Sequence, residues 1–238
     1  MASLVEPVDL PQAHPRPLAD RATRKMWPAA WAQPGFRSRL GLVVLALLGL
    51  LAVVPAYFRF IQARPGPQLT DPLLALLPAH DVSALTFAVI YGSIAAALVF
   101  LLPRPQLLLR TLWGYSILQV LRMLTLWLLP LNPPAGLITL HDPVVDHLFQ
   151  VTTQPVVRDL FFSGHTATTA LLALAVRGRR WRIALAFMTV AVGVLVLVQR
   201  VHYSYDALAA PLFAWLAYWL AGQVSAGAVS QNRRTLDR

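Results

Sequence analysis

At 238 residues, with 57% hydrophobic residues, only 13% charged and a net charge of +10, the chain carries about half the charged residues that a soluble globule of its size normally displays. A mean hydropathy of +0.59 excludes a disordered tail, a coiled coil and a typical DNA-binding domain. The absence of cysteine excludes a disulfide framework, a thiolate nucleophile and Cys-ligated zinc. The balance is that of a membrane protein.

In chain order, residues 1–39 carry Pro, Asp and the basic residues Arg16, Arg21, Arg24, Lys25, Arg37 and Arg39 without apolar periodicity. They read as a soluble basic arm, too long and too polar before its first apolar run for a cleaved signal peptide. A helix crossing a bilayer needs about 20 mainly apolar residues. Six stretches come near that length: 41–58, 82–102, 111–129, 161–176, 183–199 and 207–222. The expected fold is therefore an all-α polytopic membrane protein. Its six-helix bundle occupies residues 40–222 and is followed by a tail over 223–238.

Cytoplasmic connections hold the excess Lys and Arg. The N-terminal arm, Arg104 and Arg110, the run Arg177, Arg179, Arg180 and Arg182, and the tail residues Arg233, Arg234 and Arg238 all fall on one side of this map. Only Arg59, Arg64, Arg158 and Arg200 fall on the other, with Arg122 inside a span. Both termini are thus predicted to be cytoplasmic. The basic charge is explained by orientation and by attraction to anionic headgroups, so nucleic acid is not required as a partner. The strong preference for Arg over Lys suggests a high-GC genome and a bacterial inner membrane. Asp71, Asp81, Asp142, Asp146, Asp159 and Asp206 fall on the opposite, non-cytoplasmic side. The two long outer connections, 59–81 and 130–160, are Pro-rich, and loops of that length are uncommon unless they cover a site. His80, His141 and His147 lie in these loops with no informative spacing.

The chemistry concentrates in FFSGHT, residues 161–166, and RVHYSYD, residues 200–206. Each opens a predicted helix at the same membrane face. His202 and Asp206 are spaced i,i+4 and share a helix face, where the carboxylate can accept the proton of one ring nitrogen and leave the other with a free lone pair. Such an imidazole is suited to attack phosphorus or abstract a proton, with His165 as the complementary acid. Ser163 and Gly164 fall where helix N-terminal N–H groups are unpaired, a plausible phosphate seat. Arg122 and Arg200 offer guanidinium forks that match phosphate oxygens. An arginine within a span costs roughly 2.5 kcal/mol or more, so Arg122 is expected to face the bundle interior or a wet cavity.

Plainer readings stand beside these. Ser163 can serve only as a helix cap, and Gly164 as a packing residue. His202 with Asp206 can be a structural hydrogen bond, or half of a zinc site with His165 as third ligand. Arg200 can snorkel to headgroups. Trp113, Tyr203, Tyr205, Trp215, Tyr218 and Trp219, near span ends, read as interfacial anchors rather than a substrate cage.

Ser163-Gly164-His165 followed by His202-Tyr203-Ser204-Tyr205-Asp206 resembles the type-2 phosphatidic-acid phosphatase superfamily, in its sphingomyelin synthase-like branch. Leu69-Thr70-Asp71 is similar to the Leu-Pro-Asp segment of that branch. Arg122 with Thr125 is similar to its Arg and Thr of the third helix, and Asp159 holds the place of its Asp four residues before the serine. The resemblance implies a six-helix bundle and a phospholipid substrate, with His202 as nucleophile through a phosphohistidine, Asp206 orienting it and His165 protonating the departing alcohol. Asp159 and Tyr203 would support the site. It implies no metal and no other cofactor, and a headgroup passed to a lipid alcohol such as ceramide or diacylglycerol, or to water. The chain departs from the pattern at Val196, where the broader phosphatases carry an arginine, and at Leu128-Leu129, where sphingomyelin synthases have paired threonines. A non-catalytic lipid transporter or membrane scaffold that retains the bundle is the alternative from another class.

Overall fold

A computed structural model describes residues 26–142 and 156–236, with side chains described as far as residue 225. Arg16, Arg21, Arg24, Lys25, Asp146, His147 and Arg238 lie outside the described residues. The described residues form helices and connections with no strand. We number the helices α1 (Met26–Ala32), α2 (Phe36–Gln62), α3 (Pro72–Leu76), α4 (Ser83–Leu101), α5 (Pro105–Leu128), α6 (Gly164–Ala175), α7 (Arg179–Val198) and α8 (Ser204–Leu236).

Start signals in the sequence explain where several of these begin. Pro105 occupies the first turn of α5 and Pro72 that of α3, positions where the missing N–H would be unpaired in any case. Asp71 caps α3 by accepting from Leu73 N–H and Leu74 N–H, and Ser163 caps α6 by accepting from Thr166 N–H. Gly35, at the start of α2, has a positive φ of 77°, a conformation glycine adopts without steric cost.

Four helices, α2, α4, α7 and the part of α8 over Ser204–Ser225, are long and apolar enough to cross a membrane, compatible with an integral membrane protein. The other two expected spans depart from that pattern for separate reasons. Helix α5 has the length but carries Arg110 and Arg122, both turned into the bundle. Arg110 lies over the Tyr218 ring at 3.9 Å and donates to the Tyr218 carbonyl. Helix α6 has only 12 residues, about 18 Å of helix against a hydrocarbon core of about 30 Å. Phe161 and Phe162, counted by hydropathy as part of that span, precede the helix and pack on Phe213.

Helix α6 forms the centre of the bundle, in contact with α4, α5, α7 and α8. Its buried face is Thr166, Ala167, Thr169, Ala170, Leu171 and Ala173, small enough to let four neighbours close around it. On α8 the alanines 210, 214, 217 and 221 are fully buried at alternating spacings of four and three, which keeps one seam facing α5 and α6. Gly114 on α5 fits closely against this packing: a Cβ at that position would stand 3.1 Å from Leu171 Cδ1 of α6 and 3.8 Å from Ala221 Cβ of α8. Helix α2 is peripheral, packed only on α1 and α5 among the extensive helix contacts. Leu45, Leu48 and Leu51 on its outer face are more than half exposed.

The helix ends gather in two sets. At one end Trp27 Nε1 donates to Leu102 O, Gln106 to Gln33, and Arg39 to Ser225 O. At the other, Arg64 donates to Trp127 O, His80 N–H to Val198 O, and Ser204 N–H to Asp71. The N-termini of α6 and α8 lie at this second end, together with the connections over 63–82 and 129–142.

Candidate active site

The two motif segments meet directly. Ser163 N–H donates to the backbone carbonyl of Asp206 at 3.2 Å, so the turns that open α6 and α8 are joined main chain to main chain. His165 and His202 consequently line one cavity of about 60 Å³, together with Asp159, Thr139 and the apolar side chains Leu137, Leu140, Val156, Val157 and Val201. One ordered water needs only about 10–15 Å³, so the space takes a few waters or a small tetrahedral anion.

His202 and Asp206 are 3% and 1% exposed, with His202 Nδ1 3.4 Å from Asp206 Oδ2. That is long for a hydrogen bond, though distances of this kind tighten when a substrate is bound. With Nδ1 carrying the proton toward the carboxylate, Nε2 keeps its lone pair. Tyr203 N–H also donates to Oδ2 at 2.9 Å, which fixes the carboxylate. Asp206 Oδ1 is buried with no hydrogen-bond partner. His165 Nδ1 is in the same condition, and its ring stands edge-on to Phe87 with centroids 5.7 Å apart.

Arg122, 6% exposed, reaches this region from α5. It pairs with Asp159 and donates to the Phe162 carbonyl. Thr125, one turn along, donates to the Phe161 carbonyl at 2.9 Å. The i,i+3 Arg and Thr thereby hold two consecutive carbonyls immediately before Ser163. Gly164 is required by this approach: a Cβ there would stand 2.6 Å from Arg122 Cζ and Nη1. Asp159 Oδ1 remains buried without a partner, beside the cavity that the residue lines.

The structure brings together His165, His202, Asp206, Gly164, Arg122 and Asp159. It assigns other work to Ser163, Arg200 and Tyr203. Ser163 is fully buried, and its Oγ accepts from Thr166 N–H and Thr166 Oγ1, so its hydroxyl caps the helix. Arg200 donates to Ala135 O at 3.0 Å and Leu77 O at 3.2 Å and lines a different cavity, of about 440 Å³, with Asp71 and Tyr203. It ties the outer connections together and does not line the histidine cavity. Tyr203 is 1% exposed, which separates it from the exposed aromatics Tyr205, Trp215 and Trp219. Its hydroxyl donates to Asn132 O and accepts from Leu69 N–H.

Two supporting groups take roles that the sequence alone does not assign: Asp71, read there only in the Leu69-Thr70-Asp71 segment and among the outer-side aspartates, and Gln199. Asp71 accepts from Ser204 N–H at 2.6 Å and from Ser204 Oγ at 3.0 Å while capping α3. Burial pushes its carboxyl up, but the hydrogen bonds from Ser204, Leu74 and Leu73 outweigh this and hold it below the usual aspartate value. An Asp-Pro pair before a short apolar run is the readable signal of a capped helix here. Gln199 is fully buried and donates to Asp81, Ser83 and Thr139 O, joining three outer segments. The Ser83 N–H and hydroxyl hold the Asp81 carboxyl low. No local signal marks Gln199.

Among the described residues, no group of three or more His, Cys, Asp or Glu side chains is arranged to hold a metal ion. Residues 158–223 match the family described as PAP2 superfamily C-terminal, which supports the PAP2 superfamily. The matched segment contains His165, His202 and Asp206. No curated protein and no solved structure matches the chain. The family match suggests phosphatase or phosphotransferase activity, and with the apolar helices it makes a membrane setting and a lipid substrate plausible.

Proposed function

We propose that this protein is a six-span membrane enzyme that moves the phosphoryl headgroup of a glycerophospholipid through His202, in the manner of the sphingomyelin synthase-like branch. The observation that carries this reading is the shared cavity of His165 and His202, with a buried carboxylate behind His202. In the first step His202 Nε2 forms a bond to phosphorus as the phosphoester bond to the diacylglycerol oxygen breaks, and His165 gives its proton to that oxygen. In the second, an acceptor hydroxyl gives its proton to His165 while its oxygen attacks phosphorus. The N–P bond then breaks and His202 is restored. Asp206 holds the imidazole tautomer throughout. Arg122, fixed over Gly164, supplies positive charge near the developing oxyanion.

The acceptor is water or a lipid alcohol such as ceramide or diacylglycerol. We favour the lipid alcohol because five of the nine side chains around the cavity are aliphatic, a lining that disfavours free water. The site faces the non-cytoplasmic side, with both termini cytoplasmic. Purified protein given phosphatidylcholine, phosphatidylethanolamine and phosphatidic acid, with and without ceramide, is expected to yield diacylglycerol and a headgroup-bearing product. His202→Ala is expected to abolish both the acid-labile phosphoenzyme and turnover. Turnover by that variant at the native rate would remove the mechanism; absence of turnover by the wild type on all of these lipids would leave a transporter or scaffold.

A further inference from the structure

Helices α2 and α5 face each other along matching stripes yet stand apart in the middle. Ala46, Gly49, Leu50 and Val53 on α2 oppose Trp113, Ser116, Ile117, Val120 and Leu121 on α5 across a slot of about 450 Å³. The spacing on each side follows i, i+3, i+4, i+7, which is one helix face. The pair is fastened beyond both ends of the slot. Phe36, Val43 and Leu109 pack with Ala30 at the α2 N-terminal end, and Tyr57 donates to Met123 O at the other. Between these ties the slot runs about 12 Å along the helices. Gly49 helps to make the opening, because a Cβ there would meet nothing within 4 Å.

We propose that this slot holds one fatty acyl chain of the lipid whose phosphate lies at His165 and His202; the inference rests on the function proposed above. Two observations choose this occupant. The rest of α2 presents exposed leucines and valines, so on a membrane-spanning helix the medium beside the slot is lipid hydrocarbon. The slot also runs toward the site: Leu121, at its outer end, precedes Arg122, whose guanidinium pairs with Asp159, a wall of the histidine cavity. Slot and ion pair thus come one residue apart along α5, and Tyr57, one turn beyond Val53 on α2, lies within electrostatic reach of Arg122 and Asp159. A chain seated between α2 and α5 would bring its headgroup to that pair, fixing the phosphoester by its tail.

Gly49→Leu tests this with little risk to folding, since the space is open and leucine is a better helix former than glycine. With dipalmitoyl substrate, kcat/KM is expected to fall about tenfold or more from misplacement of the phosphoester, while a dibutyryl analogue stays within about twofold. Equal effects on both substrates, or none on the long-chain one, would overturn the assignment. A photoreactive diazirine on a palmitoyl chain gives a readout independent of turnover. In wild type and His202→Ala alike it is expected to label Gly49 and the Ser116–Val120 segment. Gly49→Leu is expected to suppress that labelling while leaving the outer-face Leu45, Leu48 and Leu51 labelled as before. Labelling without turnover would keep the slot and sink the reaction; turnover without slot labelling would do the reverse. A change of oligomeric state in Gly49→Leu, with chain-length response unaltered, would assign the slot to a helix of a second copy and overturn the proposal.

Discussion

At the level of single residues, the site is organised by main-chain contacts as much as by side chains. Arg122 and Thr125 grip the carbonyls of Phe162 and Phe161, and Gly164 leaves the space the guanidinium occupies. Gly164→Ala is accordingly expected to displace Arg122 from Asp159 and lower thermal stability by about 1–3 kcal/mol, the usual cost of overpacking. Turnover should fall further than stability alone explains, as a comparison of melting temperature with kcat would reveal. Unchanged kcat would mean that Arg122 does not act on the reacting group. The approach of His202 to Asp206 and the Ser163-Gly164-His165 turn were legible in the sequence because both are local, but His202 stands in the turn before α8, which begins at Ser204, and not on the helix face that the i,i+4 spacing implied. Arg200 was harder to read. Its positive φ of 56° and its carbonyl partners, 65 and 123 residues away, depend on how loops pack, and a guanidinium satisfies carbonyls as readily as phosphates.

At the level of elements, the start of α8 is held from outside by α3. Asp71 serves as cap to one and anchor to the other, so Asp71→Ala is expected to cost about 1–2 kcal/mol and to slow turnover by loosening Ser204, two residues from His202. The pH dependence has a definite sign. The folded Asp71 carboxyl is held below 3.8, so the unfolded chain takes up its proton first as pH falls. The stability conferred by Asp71 is then fully present above that value and fades below it. The difference in melting temperature between wild type and Asp71→Ala should hold constant from pH 7 to pH 5 and shrink toward pH 3. Long apolar runs made α2, α4, α7 and most of α8 readable. The length of α6 was not, because hydropathy sums aromatic residues whether or not they are helical. The extension of α8 to Leu236 was hidden by a polar composition that reads as a tail.

For the whole molecule, the proposed orientation rests on the lopsided distribution of arginine. The chain has no cysteine, so single substitutions suffice to test it. In sealed vesicles of known orientation, Arg180→Cys and Ala135→Cys, both at exposed positions, are expected to react with an impermeant maleimide from opposite sides. Labelling of both from one side would break the alternating map and leave fewer crossings. That map needs the short α6 to count as a crossing, completed by the non-helical segment before it. Hydropathy alone cannot supply such a crossing; enclosure by four neighbouring helices can, because backbone outside regular structure is tolerated at membrane depth only when protein surrounds it.

The bond from Ser163 N–H to the Asp206 carbonyl bears on selectivity. It rivets the floor of the cavity into a single block, with Arg122 bracing one side and Asp71 the other. The spacing of the two turns that carry the imidazoles is thus set when the chain folds. Under the proposed function, discrimination among headgroups falls largely to that preset gauge, with side-chain tightening left to the bound state.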